Sequence, residues 1–122
     1  MADYVGWHVE LAVIPGALEA FRELTAEMVA ATRGEPNVLI YERFVSADGS
    51  VVHVHERYTD SAAAMAHLRT FGRVFSRRFA SLVDRTRFIV YGTPTAELRE
   101  ILDGFGATYF FHFAVSPARM PG

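Results

Sequence analysis

Three of the chain's five histidines lie close together in the segment VVHVHERYTDSAAAMAHL, which runs from Val51 to Leu68. His53 and His55 have the i, i+2 spacing that lets two imidazoles on one strand face share a zinc or iron ion. His67 follows in a stretch of helical character, and a single imidazole can accept a proton near neutral pH. The segment therefore suggests three uses for its histidines: metal binding, proton transfer or packing.

Composition limits the kind of protein that these histidines serve. The chain has 122 residues, no cysteine and a net charge of −2, and 51% of its residues are hydrophobic. These values predict one globular domain over residues 1–122, without disulfides or thiolate metal sites. The charge gives no reason to expect nucleic acid or an anionic membrane as a partner. No secretion signal begins the chain and no apolar run approaches about 20 residues, so we expect a cytoplasmic protein without a membrane partner.

Hydrophobic periodicity predicts an alternation of strands and helices. The predicted elements are a strand over residues 4–14, a helix over 17–33, strands over 38–45 and 51–58, a helix from the capping residues 59–61 to about 82, a strand over 87–92, a short helix that begins at 93–94, and a strand over 107–115. The fold class is therefore α+β: a ferredoxin-like βαββαβ unit followed by an added helix and strand. Residues 116–122 are expected to form a flexible tail.

The second and third strands are joined by ADGS, whose Asp48-Gly49 pair suits a two-residue hairpin turn. The cross-strand pairs that follow are Tyr41 with Glu56, Glu42 with His55, and Phe44 with His53. Alternate residues then occupy opposite faces of the sheet. The more apolar face contains Leu39, Tyr41, Arg43, Val45, Val52, Val54, Glu56 and Tyr58; the other contains Val38, Ile40, Glu42, Phe44, Val51, His53, His55 and Arg57. We expect the first face to pack on the helices.

The second face, called the open face below, mixes aliphatic side chains with charged groups and imidazoles. It suits neither a dry core nor full solvation, and no predicted helix remains to cover it. We therefore predict a homodimer formed through the open face, with His53 and His55 at the interface. These two histidines share their face with Glu42, while His67 lies across the sheet, so three protein ligands cannot easily converge on a metal ion. No metal site is predicted.

His67 has two interpretations, which the sequence leaves open. A helical wheel puts it about 100° from the centre of the apolar stripe formed by Met65, Leu68 and Phe75, on the flank shared with Phe71. It then either caps the rim of the core or faces a cavity between this helix and the sheet. Tyr41 and Tyr58 would point into the same cavity.

Several segments resemble the antibiotic biosynthesis monooxygenase domain family. They are Pro15-Gly16 with the following EAF, EPNVLIYE from Glu35 to Glu42, and VHVHERYTDSAAAMAHL. Members of that family show Leu-x-Tyr-Glu on the second strand, then Glu-x-Trp/Tyr running into a helix that carries a histidine. In this chain those positions are held by Leu39, Tyr41, Glu56, Tyr58 and His67. The resemblance covers roughly residues 5 to 92.

The resemblance implies a dimeric α+β barrel, in which two ferredoxin-like sheets pack face to face and each chain holds a ligand cavity. Well-known enzymes of the family oxidise phenols, quinols or polycyclic aromatics with molecular oxygen and use neither metal nor flavin. The implied function is cofactor-independent monooxygenation of a small aromatic substrate, and no cofactor is expected. The implied catalytic residues are His67, as proton acceptor, and Tyr58, as its orienting partner; the implied substrate-binding residues are Tyr41, Glu56, Trp7 and Phe71.

Two other functions are open at this point. A chain with this fold can bind a small molecule without catalysis or serve as a dimeric structural module, and residue patterns do not separate a pocket from a catalyst. Haem-degrading relatives use a histidine late in the second helix and an asparagine on the first strand. Here that part of the helix reads FGRVFSRRF and the first strand has no asparagine, so haem degradation fits less well.

Overall fold

The computed structural model describes residues 4–115, which form a five-stranded sheet with its helices. The strands are β1 (Val5–Val13), β2 (Val38–Val45), β3 (Val51–Tyr58), β4 (Val83–Gly92) and β5 (Thr108–Phe110). The helices are α1 (Leu18–Arg33), α2 (Ser61–Thr70), α3 (Ser76–Leu82) and α4 (Ala96–Asp103), and a π-helical turn (Phe71–Phe75) joins α2 to α3. The tail predicted over residues 116–122 lies outside this range. Between residues 4 and 115, no helix combines the length and the apolar composition that crossing a bilayer requires.

The sheet order β2-β3-β1-β4-β5 places β1 at the centre, antiparallel to both β3 and β4. This is the strand order of a ferredoxin-like fold, so the α+β class predicted from the sequence is confirmed. The added strand β5 pairs in parallel with β4 and extends the sheet at one edge. The sheet of the single chain is open and does not close into a barrel.

The core lies between one face of the sheet and the helices. The inward side chains of β1 are Val5, Trp7, Val9 and Leu11, all buried, while α1 contributes Phe21, Leu24 and Met28. The first set has the two-residue period of a strand and the second the three- to four-residue period of a helix, so each puts its apolar groups on one side. Each such burial contributes roughly 1.5–3 kcal/mol to the free energy of folding.

The β2–β3 hairpin has the predicted register. The observed pairs include Tyr41 with Glu56, Glu42 with His55, and Phe44 with His53. The loop is one residue longer at each end than predicted, because the last backbone hydrogen bond before it joins Ser46 to Val51. Asp48 organises this loop: its carboxylate accepts hydrogen bonds from the Ser50 hydroxyl (2.7 Å), the Ser50 backbone N–H (3.0 Å) and the Ser46 hydroxyl (2.8 Å). These bonds lower the pKa of Asp48 to about 2.

The predicted face assignment is wrong at the start of β2. The pairing shifts between Val38 and Ile40, and this β-bulge puts Val38 opposite Tyr58. One extra residue in a strand moves every side chain beyond it to the other face. Val38 is therefore partly buried against the core, and Leu39, which was expected there, is exposed.

The helix predicted over residues 61–82 is continuous but changes its phase at the π-helical turn, which inserts one extra residue. The buried positions of α2 are Ser61, Ala64 and His67. Met65 and Leu68, which were expected at the centre of the buried stripe, are only partly buried. The prediction was wrong because a single helical phase was fitted to a helix that has two. His67 consequently lies in the buried face and not at its rim.

The C-terminal extension is shorter in its strand than predicted. β5 has three residues, whereas a strand was expected over residues 107–115, and β4 begins at Val83, before the expected start at residue 87. The extension is attached to α2 by a hydrogen bond from the backbone N–H of Thr95 to Oγ of Ser61, at 3.0 Å. After α4 the chain brings Phe105 to the sheet, where its ring stacks on Phe88 at 5.6 Å.

Candidate active site

A cavity lies between the sheet and the helices. Its lining consists of Trp7, Val9, Met28, Arg43, Val54, Glu56, His67, Leu68, Phe71, Phe79, Arg85, Phe88 and Phe105. The centres of water molecules can occupy about 40 Å³ of this cavity. The whole empty space, including the part open to solvent, is about 410 Å³. The inner space holds a few waters, so an aromatic ligand enters only if side chains at the mouth move.

The strand register arranges the helix-facing side of the sheet, part of which forms the floor of this cavity, in three rows that cross the sheet. The first row contains Val90, Trp7, Glu56 and Tyr41; the second contains Phe88, Val9, Val54 and Arg43; the third contains Arg85, Leu11, Val52 and Val45. Neighbouring rows are two residues apart along each strand, or about 6.6 Å. The carboxylate of the floor thus belongs to the first row, and the two arginines belong to the second and third.

His67 contacts the first row from the last turn of α2, and 5% of its surface is exposed. Its Nδ1 lies 2.8 Å from Oε1 of Glu35, in the loop between α1 and β2. A carboxylate at Nδ1 favours a proton on that nitrogen, while the other ring nitrogen, Nε2, lies 3.5 Å from Oε1 of Glu56. The rings of Tyr41 and Tyr58 pack against the imidazole, with centroids at 5.4 and 5.3 Å. The imidazole thus lies between two carboxylates and two aromatic rings.

Glu56 is the second polar group at this end of the cavity. Its Oε1 accepts hydrogen bonds from the Tyr58 hydroxyl (2.6 Å) and the Trp7 indole N–H (2.9 Å). The same oxygen lies 3.5 Å from Nε2 of His67. The two neutral donors fix the orientation of the carboxylate, so Glu56 and His67 form a polar pair at the cavity wall.

Neither tyrosine can serve as a phenolate. Burial raises the pKa of Tyr58 far above its ordinary value, and the charge of Glu56 adds to the increase. Burial also raises the pKa of Tyr41 to about 12, although the guanidinium of Arg43 opposes the change. Both hydroxyls therefore stay protonated at neutral pH, and the two residues act as ring walls and hydrogen-bonding groups.

Arg43 occupies the middle of the cavity wall. Its Nη2 donates to the Tyr41 hydroxyl at 3.0 Å and its Nη1 to Oγ1 of Thr25 at 3.1 Å. Its Nε is buried, and no group in residues 4–115 accepts a hydrogen bond from it. Arg43 thus has neutral hydrogen-bond partners and the rings of Tyr41 and Phe21 at 5.2 and 5.8 Å, and among residues 4–115 no carboxylate lies within 4.0 Å of its nitrogen atoms.

Arg85 lies at the far end of the cavity, on the third row. Its guanidinium carbon is 4.6 Å from the ring centroid of Phe105 and 5.9 Å from those of Phe79 and Phe88. Arg85 as a whole is solvent-exposed, but partial burial of its guanidinium against these rings lowers its pKa. An arginine still remains charged at neutral pH, so this end of the cavity is cationic and aromatic.

Four of the six residues that were predicted for the site line the cavity: Trp7, Glu56, His67 and Phe71. Tyr41 and Tyr58 pack behind His67 and are not part of the lining. Tyr58 was expected to orient His67, but its hydroxyl donates to Glu56. The imidazole is hydrogen-bonded to the carboxylate of Glu35 instead.

Four residues of the site were not predicted from the sequence: Glu35, Arg43, Arg85 and Phe105. Glu35 and His67 are 32 positions apart, and Glu35 stands between Gly34 and Pro36, where the sequence signals only a loop. An arginine assigned to the inward face of a strand, as Arg43 was, is a usable signal because a buried charge requires a partner or a function.

Three histidines meet on the open face. His8 of β1 lies between His53 and His55 of β3, with ring centroids 4.7 and 4.9 Å away. In the part of the chain from residue 4 to residue 115, no three histidine or acidic side chains are placed to hold a metal ion. Burial, followed by the charges of His53 and His55, lowers the pKa of His8. The sequence analysis did not include His8 in this cluster.

Comparisons with known proteins agree with this fold. The sequence pattern described as antibiotic biosynthesis monooxygenase matches residues 5–72. No protein of curated function matches the chain. MupZ from Pseudomonas fluorescens is similar in structure, with 23% identity over 97% of this chain and 91% of that chain and a TM-score of 0.86. Rv0793 from Mycobacterium tuberculosis (25% identity, 75% of this chain, 96% of that chain, TM-score 0.62) and PA3566 from Pseudomonas aeruginosa (26%, 74%, 91%, 0.60) are also similar.

The family pattern covers more than half of the sequence, and the chain belongs to the antibiotic biosynthesis monooxygenase family. The match runs from β1 to the start of the π-helical turn and includes Glu35, Glu56 and His67. Arg85 and Phe105 lie beyond it. The likeness to MupZ covers 97% of the chain, so it includes most of the C-terminal extension. The likenesses to Rv0793 and PA3566 cover 75% and 74% of the chain.

Proposed function

We propose that the protein is a cofactor-independent monooxygenase that acts on a small aromatic substrate of the phenol or quinol type. The proposal rests on the environment of His67, whose Nδ1 is bound to Glu35 while its Nε2 lies at the aromatic cavity, 3.5 Å from Oε1 of Glu56. Membership of the antibiotic biosynthesis monooxygenase family supports the reaction class. The substrate itself supplies the electrons, so the chain has only to bind it, remove a proton and exclude water.

The first step is proton removal. The substrate hydroxyl donates a hydrogen bond to Nε2 of His67, which takes the proton and becomes an imidazolium. The carboxylate of Glu35, 2.8 Å from Nδ1, stabilises this charge. The electron pair stays on the substrate oxygen and is delocalised into the ring, which becomes a better reductant. The hydroxyl of Tyr58 and the indole of Trp7 keep Glu56 oriented beside the reacting group.

The second step is reaction with molecular oxygen. The electron-rich ring transfers electrons to O₂ and forms a carbon–oxygen bond at an activated carbon, giving a hydroperoxide that takes up the proton from His67. In an anthrone this carbon is a CH₂ group; it becomes C=O, and the second oxygen atom leaves as water, so atoms and electrons balance. The aromatic lining, including Phe71, keeps bulk water from the reactive anion.

We also propose that the chain functions as a homodimer through the open face. Phe44 on β2 is 52% exposed and Tyr91 on β4 is 45% exposed, although both are large apolar side chains. Both belong to the face that the helices leave uncovered, since Tyr91 pairs with Gly6 and Phe44 with His53. Exposed aromatic groups on one face are typical of a protein interface.

The test of function is oxygen consumption by purified protein that absorbance shows to be free of flavin and elemental analysis shows to be free of metal. The panel contains monocyclic and bicyclic quinols and an anthrone, each corrected for its rate of autoxidation. We expect consumption above this background, unchanged by a chelator and abolished by His67→Ala. His112→Ala is the matched control, because His112 is exposed and outside the cavity.

Two results would contradict the oxygenase. Activity that returns only with added metal or flavin would reject the cofactor-independent reaction. Tight binding of the panel without oxygen consumption would identify the chain as a small-molecule-binding module, the alternative that its sequence leaves open.

A further inference from the structure

We propose that the substrate carries an ionised carboxylate, which Arg85 binds at the far end of the cavity while the substrate hydroxyl faces His67. The inference rests on the proposed function, since it takes the same cavity as the substrate site. It adds the chemical class of the substrate and a residue that selects it.

The first argument is the missing partner of Arg85. Arg78 provides a comparison within the same molecule: its guanidinium lies 5.8 Å from the ring of Phe75 and also forms two hydrogen bonds with Glu27, at 2.9 and 3.0 Å. Arg85 has the aromatic contacts, but among residues 4–115 no carboxylate lies within 4.0 Å of its nitrogen atoms. Arg57 and Arg99 also lie against rings, at 4.5 and 4.0 Å, and have no carboxylate within 4.0 Å among the same residues. Of these three arginines only Arg85 lines the cavity, so it is the one that can bind an anionic ligand there.

The second argument is the separation of charge along the cavity. Both carboxylates near the cavity, Glu35 and Glu56, lie at the end where His67 is, and their hydrogen bonds connect them to His67, Trp7 and Tyr58. Arg85 pairs with Leu11, and Glu56 pairs with Trp7. Measured along the direction of β1, their backbones are therefore four residues, or about 13 Å, apart. A ligand with a proton to give at one end and a negative charge at the other matches this polarity.

The third argument concerns shape. Phe88 and Phe105 stack with an angle of 16° between their ring planes, and Arg85 lies over Phe105 at 4.6 Å. These flat groups suit a flat ligand, and an aromatic carboxylate can lie in the plane of its ring. The planar guanidinium binds a carboxylate through two parallel hydrogen bonds.

Arg43 strengthens the positive field without competing for the same role. It lies on the row between Arg85 and Glu56, and its hydrogen-bond partners Tyr41 and Thr25 are neutral. A carboxylate bound at Arg85 would therefore also be attracted by the charge of Arg43.

The experiment compares two probes that differ only in charge: 4-hydroxybenzoate and its neutral amide, 4-hydroxybenzamide. Their dissociation constants are measured by calorimetry on the full chain, for the unaltered protein, Arg85→Gln and Arg77→Gln. Arg77 is exposed on α3, so its variant makes the same change in net charge away from the cavity. Fluorescence of Trp7, the chain's only tryptophan, reports whether a probe enters this cavity.

We expect the carboxylate to bind on the order of ten- to a hundredfold more tightly than the amide, because hydrogen bonds between charged groups are worth that much. Arg85→Gln should abolish this preference and leave the affinity for the amide unchanged, whereas Arg77→Gln should keep it. Equal affinity for the two probes, absence of binding by both, or equal loss of both in Arg85→Gln would overturn the inference. Because no turnover is measured, charge-selective binding without oxygen consumption would reject the oxygenase and retain the carboxylate site.

Discussion

The two faces of the sheet both carry histidines, but in opposite surroundings. On the helix side, His67 is buried and its Nδ1 is bound to the carboxylate of Glu35. On the open face, His8, His53 and His55 pack edge to face, and the nearest carboxylate oxygen belongs to Glu10, 3.5 Å from His53. His67 is thus paired with a carboxylate, whereas burial and then the charges of the two neighbouring imidazoles lower the pKa of His8.

This difference shows that closeness in sequence is a poor guide to the chemistry of a histidine. His53 and His55 have the spacing of a metal site, yet the strand geometry places them with His8 on a surface that we assign to dimer contact. His67 has no histidine or acidic residue beside it on its helix. Its partner Glu35 comes from the loop between α1 and β2, far away in sequence, and that contact holds the imidazole in place.

The strongest test of the comparison is His67→Ala. Loss of a proton acceptor typically lowers turnover by about 10² to 10⁴, and His112→Ala should have no effect. Because His67 is buried, its removal also leaves Glu35 without a partner, which we expect to destabilise the fold by about 1–3 kcal/mol. Thermal unfolding of the same samples separates the two effects. A folded His67→Ala protein with unaltered turnover would show that the buried histidine is structural.

Glu35→Gln should have the next largest effect. The amide oxygen of glutamine can still accept the Nδ1 proton of His67, but it no longer stabilises an imidazolium, so turnover should fall on the order of ten- to a hundredfold. Substrate affinity should stay the same, since Glu35 does not line the cavity. Glu23→Gln, an exposed change on α1, is the control. Steady-state rates at several pH values would reveal whether the effect acts through His67; an equal loss in both variants would reject this role.

Phe44→Asp tests the role of the open face. A central aromatic residue of an interface contributes about 2 kcal/mol or more, so we expect the dimer to dissociate at concentrations at least roughly thirtyfold higher. Val74→Asp is the matched control, because Val74 is a 48% exposed apolar residue on the helical layer. Analytical ultracentrifugation over a range of micromolar concentrations measures both. A protein that is monomeric before any substitution would remove the dimer from the proposal.

The smallest expected effect is a pH dependence from the open face. Burial and the neighbouring histidines lower the pKa of His8 in the folded chain, with Glu10 acting in the opposite direction. The unfolded chain therefore binds a proton on His8 at a higher pH than the folded chain. Stability should be complete above about pH 6.5 and should decrease as the pH falls from there through the lower folded pKa.

Thermal unfolding at pH values between about 5 and 8 measures this slope. His8→Gln should flatten it, because glutamine has no proton to bind in this range. The same slope in both proteins would assign the pH dependence to other groups.

Local patterns were enough to predict most of the fold. The two-residue period of β1 and the turn residues Asp48 and Gly49 determine which side chains face the helices and which residues pair across β2 and β3, and the structure agrees with both. The errors arise where one residue is added to a regular element. The bulge at Leu39 and the π-helical turn each displace a face without leaving a signature in hydrophobicity.

The candidate site could be predicted only in part. Trp7 and Glu56 belong to strands whose faces the two-residue period reveals, so their pairing follows from the register. For His67 the sequence left two positions open, and only the structure places it in the buried face of its helix. Glu35 and Arg85 could not be found in this way, because one belongs to an irregular loop and the other to a part of β4 that has no apolar alternation. Contacts of this kind depend on how loops fold over a finished sheet, which no local pattern encodes.

The π-helical turn is a place where one residue can be deleted from the sequence without disturbing the helix. In such a turn the flanking helices keep the directions of an uninterrupted helix, and the extra residue is taken up by the wider ring. Here the hydroxyl of Ser76 binds the carbonyl oxygen of Gly72 at 2.7 Å, and Val74 is exposed. Deleting Val74 should therefore leave an ordinary α-helix with His67 and Phe79 still in place. A relative that lacks this extra residue would therefore have one residue fewer in the helix and the same cavity lining.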